Sequence, residues 1–93
     1  MIALEHRVCP HPEVVDTELD GGEMVLLHLE SKTYHSLNFT GLRIWQGLKA
    51  GLTLQDVSHR LQAEFAVDAE AADRSVVALV AELVHHDLVQ TRD

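Results

Sequence analysis

The chain has 93 residues, of which 46% are hydrophobic, and this length and composition predict one folded domain spanning residues 1–93. Fifteen acidic residues against seven basic ones give a formal charge of −8, which disfavours binding to nucleic-acid phosphates or anionic lipid headgroups. A single cysteine, no long apolar run and no basic N-terminal signal favour a cytoplasmic protein with neither an internal disulfide nor a membrane span.

Three strands are predicted in the first half of the chain. Residues 1–13 show no clean period and contain two prolines, so we expect an extended lead-in there. Segments 14–19, 24–29 and 33–37 alternate in polarity or are continuously apolar over lengths typical of strands. "DGGE" predicts the turn between the first two, because glycine adopts the positive φ that hairpin turns need. The strand 33–37 contains no lysine or proline that would block pairing at its outer edge.

Three helices are predicted in the second half. Each is preceded by a side chain able to accept a hydrogen bond from a backbone N–H of the first turn: Asn38, Thr53 and Asp68. Gly51 is placed to end the first helix in a left-handed conformation, and Gly41 indicates a close backbone approach. The third helix is predicted from Ala69 to about His86, with residues 87–89 available for a short closing strand. The expected fold is α+β, a three-stranded antiparallel meander followed by three helices.

The predicted third helix is apolar over a wider arc than one core requires. At about 100° per residue its apolar side chains spread over roughly 200°, whereas a helix packed on one core needs a stripe of about 100°. The excess face consists of Val77, Val80, Ala81 and Val84, and Asp73 lies one turn before Val77. The helix is either sandwiched within its own fold, or paired with a second subunit, or open to an extended peptide that adds to the neighbouring strand edge.

Donor atoms that could bind a metal ion are concentrated near the N-terminus. His6, Cys9 and His11 lie within six positions, but a fourth ligand at recognisable zinc spacing is missing. We therefore predict a mobile arm with incidental donors and no metal site.

The remaining histidines are predicted to be structural, and no motif indicates an enzyme. His28 and His35 lie on neighbouring strands and could be cross-strand partners, while His85 and His86 suit the negative end of a helix dipole. No nucleophile elbow, P-loop, dinucleotide fingerprint or zinc-protease motif occurs. The sequence thus predicts neither catalysis nor a cofactor.

A family resemblance is carried by the segment "HLESKTYHSLNFTGLRIWQGLKAGLT". It contains a Tyr-x-x-Leu-Asn-x-Thr-Gly-x-x-x-Trp pattern from Tyr34 to Trp45 and a Gly51-x-Thr53 step, and the chain continues to "ELVHHDLV". Over residues 14–90 the sequence resembles the PqqD-like family of peptide-recognition proteins. The resemblance implies a winged-helix-like fold that binds the leader of a ribosomally made peptide and presents it to a leader peptidase, a radical SAM enzyme or another modifying enzyme. The chain is most similar to the small recognition proteins of lasso-peptide clusters.

The resemblance also implies where the leader binds, namely along the third strand and against the third helix. On the strand the implied peptide-binding residues are Thr33, Tyr34, His35, Ser36 and Leu37. On the helix they are Arg74, Val77, Ala78 and Ala81, to which the excess apolar face adds Asp73, Val80 and Val84.

Two other functions use the same elements. A winged-helix DNA-binding regulator would present basic residues on its recognition helix, but the predicted third helix has Arg74 against Glu70, Asp73 and Glu82. A dimerisation module would use the excess apolar face to form a homodimer.

Overall fold

Eight secondary-structure elements follow one another in the computed structural model, which describes residues 2–92. They are β1 (Arg7–Pro10), β2 (Val14–Leu19), β3 (Glu23–His28), β4 (Thr33–Leu37), α1 (Phe39–Lys49), α2 (Leu54–Phe65), α3 (Ala69–His85) and β5 (Val89–Arg92). Strands β2, β3 and β4 form one antiparallel sheet in that order, and β1 and β5 form a second sheet. The fold is α+β and contains the predicted meander followed by three helices.

The meander forms where alternation and turn residues predict it. β2 and β4 coincide with the predicted strands, and β3 begins and ends one residue earlier than predicted. Between β2 and β3, Gly21 and Gly22 have φ angles of 87° and 81°, which a side chain would make costly. Met24, Leu26 and Leu37 on one side of the sheet are buried, so this side carries the core.

All three helices begin at the predicted caps. The side chains of Asn38, Thr53 and Asp68 each accept a hydrogen bond from the backbone N–H three residues later. Gly51, with φ of 82°, follows the last turn of α1, as predicted. Within residues 2–92, no helix combines the length and the apolarity that crossing a membrane requires.

The N-terminal segment is part of the packed structure. β1 pairs antiparallel with β5, placing Pro10 opposite Val89, and both Val8 and Val89 are buried. The backbone carbonyls of Leu4 and His6 accept hydrogen bonds from the first turn of α2. The predicted mobile arm is therefore wrong, because its partner strand lies at the other end of the chain. That closing strand begins at Val89, two residues later than predicted.

A polar contact fixes α1 on the sheet. The indole Nε1 of Trp45, a residue that is 1% exposed, donates to Oδ2 of Asp16 at 2.7 Å. Lys49 Nζ donates to the same oxygen at 2.7 Å. Burial by itself raises the pKa of Asp16, but the hydrogen bonds from Lys49 and Trp45 outweigh it and hold the pKa below its ordinary value.

The wide apolar arc of α3 results partly from packing on more than one side. α3 contacts α2 and also β5, and Val76, Val80 and Leu83 are fully buried. The prediction that Val80 belongs to a free face is therefore wrong. Asp73 accepts a hydrogen bond from the hydroxyl of the buried Ser58 on α2, which accounts for a carboxylate inside the apolar arc. Packing explains only part of the arc, because Val77 is partly exposed and both Ala81 and Val84 are exposed.

Two histidines and an aspartate link the ends of the fold. The Nε2 atoms of buried His28 and of His11 lie 3.4 and 3.8 Å from Oδ2 of Asp87, and Nδ1 of each ring accepts a backbone N–H. A ring nitrogen that accepts a hydrogen bond carries no proton, so the neutral rings hold their proton on Nε2, facing the carboxylate. His28 is structural, as predicted, but it is paired with Thr33 and not with His35.

Candidate peptide-binding site

The outer edge of β4 is available for pairing. Among the strands of residues 2–92, β4 pairs only with β3, so backbone groups along its other edge have no strand partner. Side chains alternate along it: Leu37 is buried and His35 is half-buried, whereas Tyr34 and Ser36 point to the opposite face. Tyr34 is 73% exposed. An added strand would therefore meet a bare backbone edge and, on the inner face, His35.

A cleft of about 270 Å³ lies beside the end of this strand. Its lining comes from the N-cap and first turns of α1 and from α3: Asn38, Thr40, Gly41, Ile44, Ser75, Ala78, Leu79 and Glu82. Because it opens at the end of β4, we call it the β4–α3 groove. Small-molecule sites usually occupy about 300–1,000 Å³, so this groove suits one or two side chains of a longer ligand.

The groove has a fixed end because β4 passes into α1 without a loop. Asn38 follows the last strand residue, Leu37, and caps the helix. A Cβ atom on Gly41 would approach the Cβ of Leu37 to 3.2 Å, so a side chain there would force the strand and the helix apart. The predicted close approach at Gly41 is thus confirmed. The local sequence sets the angle between the strand edge and the groove.

A polar contact connects β4 with α3 at the border of the groove. Nε2 of His35 lies 3.3 Å from Oε1 of Glu82, and the ring centroids of His35 and His86 are 5.4 Å apart. The His35 side chain is 16% exposed and that of Glu82 is 52% exposed. The Glu82 carboxylate gives the groove a negative charge, which favours a basic or neutral ligand.

The predicted peptide-binding residues lie in different places. Thr33–Leu37 form β4 with its open edge, and Ala78 lines the β4–α3 groove. At about 100° per residue, Val77 and Val84 lie about 140° and 160° around α3 from Glu82. The excess apolar face of α3 thus lies away from the β4–α3 groove and borders a separate cleft of about 510 Å³, lined by Glu70, Asp73, Arg74 and Val77, so peptide binding at that face stays a prediction. The groove is on the other flank of the helix.

The other predicted residues of α3 do not line the groove either. Val80 is buried, and Asp73 is engaged by Ser58. Arg74 and Ala81 are exposed, and Arg74 pairs with Glu70 at 3.3 Å.

Sequence reasoning missed most of the helical wall of the groove. Ser75, Leu79 and Glu82 stand with Ala78 at spacings of three and four, which places them on one face of α3. This periodicity was visible in the sequence. A mixed face of small, apolar and acidic side chains is nevertheless typical of a solvent-exposed surface, so it gave no sign of a groove.

Comparisons with known proteins cover the elements that form the site. The family model "Coenzyme PQQ synthesis protein D (PqqD)" matches residues 23–89. The chain is similar to a solved structure of TbiB1 in complex with the TbiA(beta) leader peptide, with a TM-score of 0.83 and 30% identity over 88% of this chain and 94% of that chain. It is also similar to a lasso peptide synthetase B1 complexed with the leader peptide, with a TM-score of 0.79 and 35% identity over 92% and 98%. Among curated protein sequences, none matches.

Proposed function

Because the chain belongs to the PqqD family, we propose that it binds the leader segment of a ribosomally synthesised precursor peptide and presents it to a separate processing or modifying enzyme. The observation that carries this proposal is a strand edge that has no partner strand within residues 2–92 and lies beside a solvent-open groove. The similarity to two leader-peptide complexes, at 30% and 35% identity, supports it.

In the proposed complex the leader adds a strand to the outer edge of β4. Main-chain hydrogen bonds to Thr33–Leu37 supply affinity without demanding a particular sequence. Because side chains alternate along a strand, every second leader residue faces α3, and one of these enters the β4–α3 groove. Selectivity then comes from Ile44, Ala78 and Leu79, which offer an apolar surface, and from the charge of Glu82.

The charge distribution favours this function over binding to DNA. The chain carries a formal charge of −8, and Glu82 lines the groove. On α3, the helix that a winged-helix regulator would use for reading bases, Arg74 is paired with Glu70. A leader with basic or neutral residues opposite Glu82 fits such a surface, whereas a phosphate backbone is repelled.

The proposed role is recognition, with chemistry left to the partner enzyme, either a leader peptidase or a modifying enzyme such as a radical SAM enzyme. In residues 2–92, the serine hydroxyls that form hydrogen bonds contact Asp73, Gln62 or Thr33, so none is paired with a histidine base. This arrangement supports a role in binding, and we propose that the protein acts in the cytoplasm beside its enzyme.

A matched pair of exposed alanines on α3 tests the proposed site. Ala78 lines the groove and Ala81 does not, although both are exposed. Ala78→Trp fills the groove and is expected to weaken leader binding at least tenfold, about 1.4 kcal/mol, while Ala81→Trp binds as the wild type does. The measurement is fluorescence polarisation with a labelled leader peptide, taken from any short precursor found to be encoded beside this chain, with thermal melts as the folding control. Equal losses in both variants would remove the groove from the site.

Strand addition is tested separately with the peptide backbone. Leaders that carry a single N-methyl group lose one N–H donor each, and only alternate N–H groups of an added strand face β4. Affinity is therefore expected to fall at every second methylated position through the bound segment. A uniform loss, or no loss, would contradict strand addition even if the leader binds.

A further inference from the structure

Two clusters of histidine and carboxylate side chains bring three donor atoms within 4.8 Å of one another. The first is His11, His28 and Asp87, and the second is His35, Glu82 and His86. Each cluster joins residues that are distant in sequence, although Glu82 and His86 are only four residues apart, and ligand spacing along the chain did not predict either cluster. Their hydrogen bonds distinguish them.

The Nδ1 atoms of the two histidines in the first cluster are already engaged in hydrogen bonds within the protein. The Nδ1 atoms of His11 and His28 each accept a backbone N–H, which leaves the proton of the neutral ring on Nε2. A neutral histidine that binds a metal through Nε2 must carry its proton on Nδ1, where these N–H groups already point. Metal binding at this cluster would require those hydrogen bonds to break.

Within the part of the chain that the structure describes, the histidine rings of the second cluster accept no hydrogen bonds of this kind. Among residues 2–92, no backbone N–H donates to a ring nitrogen of His35 or His86, so both rings are free to adopt the tautomer that a metal requires. Glu82 lies in the last turn of α3 and His86 is the C-cap residue four positions later, and the ring of His35 on β4 lies beside both. Glu82 and His86 are exposed, which gives an ion access from solvent.

We propose that His35, Glu82 and His86 form a binding site for Zn²⁺ or a similar divalent transition metal ion, with solvent in the fourth position. Two donors at about 2.1 Å from a tetrahedral zinc ion are about 3.4 Å apart, and Nε2 of His35 lies 3.3 Å from Oε1 of Glu82. Two imidazoles and one carboxylate suit Zn²⁺, Ni²⁺ or Co²⁺ and disfavour Mg²⁺ and Ca²⁺, which prefer oxygen ligands.

The bound ion links β4 to α3 at the border of the groove. This coupling, unlike the metal site itself, rests on the proposed function. A leader side chain that enters the groove contacts the Glu82 carboxylate, and the metal ion engages the same carboxylate together with His35, so the two ligands compete. Zinc therefore lowers leader affinity, and by reciprocity the leader lowers zinc affinity by the same factor.

The site is tested by calorimetric titration of the tag-free full chain with zinc chloride. One equivalent is expected to bind, and His35→Ala and His86→Ala each weaken binding at least tenfold. His85→Ala is the matched control, because His85 is the exposed neighbour of His86 and lies outside the cluster. Absence of zinc binding, an equal loss in His85→Ala, or a loss in His11→Ala as large as in His86→Ala would overturn the proposal. Magnesium chloride is expected to give no binding heat, and magnesium binding as strong as that of zinc would also overturn it.

The coupling is tested by titrating the leader with and without saturating zinc. Leader affinity is expected to fall at least threefold with zinc in the wild type and to stay constant in His86→Ala. A leader affinity that zinc leaves unchanged, or raises, would overturn the coupling. Failure of the leader to bind in the absence of zinc would instead overturn the proposed function, and the zinc titration would be unaffected.

Discussion

The two flanks of α3 differ in how their side chains are used. On the flank that faces α2, Val80 is fully buried and Asp73 holds the buried hydroxyl of Ser58. On the flank that faces β4, Ala78 is exposed and lines the groove with Glu82. The more apolar flank is the packed one, and the mixed flank is the open one.

This comparison shows that part of the apolar width of α3 reflects the number of its neighbours, although Val84 at the edge of the arc is exposed. A helix in contact with α2, β5 and the central core needs a wide apolar arc for folding alone. A face that remains in water without a partner instead keeps small and polar residues, because large exposed apolar patches promote association. A binding face on a soluble protein can therefore be the less hydrophobic one.

The comparison is tested most severely by placing a carboxylate at a buried position and at a partly exposed position of the apolar arc of α3. Val80→Asp buries an unpaired charge in the core and is expected to cost at least about 4 kcal/mol, which unfolds a domain of this size. Val77→Asp is the control: the same change three residues earlier, at a partly exposed site, should cost about 1 kcal/mol. Chemical denaturation followed by circular dichroism measures both. A folded, leader-binding Val80→Asp protein would show that this flank is not packed.

Removing one serine hydroxyl on each flank of α3 is expected to give the next largest effect on stability. Ser58→Ala removes the donor to Asp73 and is expected to lower the free energy of unfolding by about 1–3 kcal/mol without changing leader affinity. Ser75→Ala, on the groove flank, should leave stability within about 0.5 kcal/mol of the wild type, because Ser75 is exposed. If the two variants melted alike, the contrast between the flanks would fail.

The same distinction between packed and open polar groups predicts a pH dependence at Asp16. The pKa of Asp16 is lower in the folded state than its ordinary value. Its contribution to the stability of the fold is therefore complete above the pKa of the unfolded state, and it is lost as the pH falls through the pKa of the folded state. Asp16→Asn is expected to destabilise by about 1–2 kcal/mol at pH 7, and the difference from the wild type should shrink below about pH 4. Melts of both proteins at several pH values check this. A constant difference across that range would mean that the charge of Asp16 contributes nothing.

The smallest effect is expected at the exposed ion pair on the solvent side of α3. Arg74→Ala removes the pair with Glu70 at 3.3 Å and should change stability by no more than about 0.5 kcal/mol. Leader affinity should also stay within twofold of the wild type. A larger loss of leader binding would extend the site from the groove to the solvent face of the helix.

Local chemistry determined most of the secondary structure. Alternation and the glycines of the turn defined the meander, and the capping side chains of Asn38, Thr53 and Asp68 defined the starts of the helices. These signals act between residues at most four apart, so they are present in the sequence itself. The strand-to-helix junction at Asn38 and Gly41, which carries the family resemblance, is likewise set by residues close together in the sequence.

Only the tertiary structure decided which surfaces meet. Residues that are distant in sequence meet where β1 pairs with β5 and where His35 contacts Glu82. The burial of Val80 distinguishes one face of α3 from others that helical periodicity alone makes equivalent. Helical spacing shows which residues share a face, but it does not show which element covers that face. That choice depends on how the sheet and the three helices pack together, and it determined that the groove opens on the side of Ala78 while Val80 lies in the core.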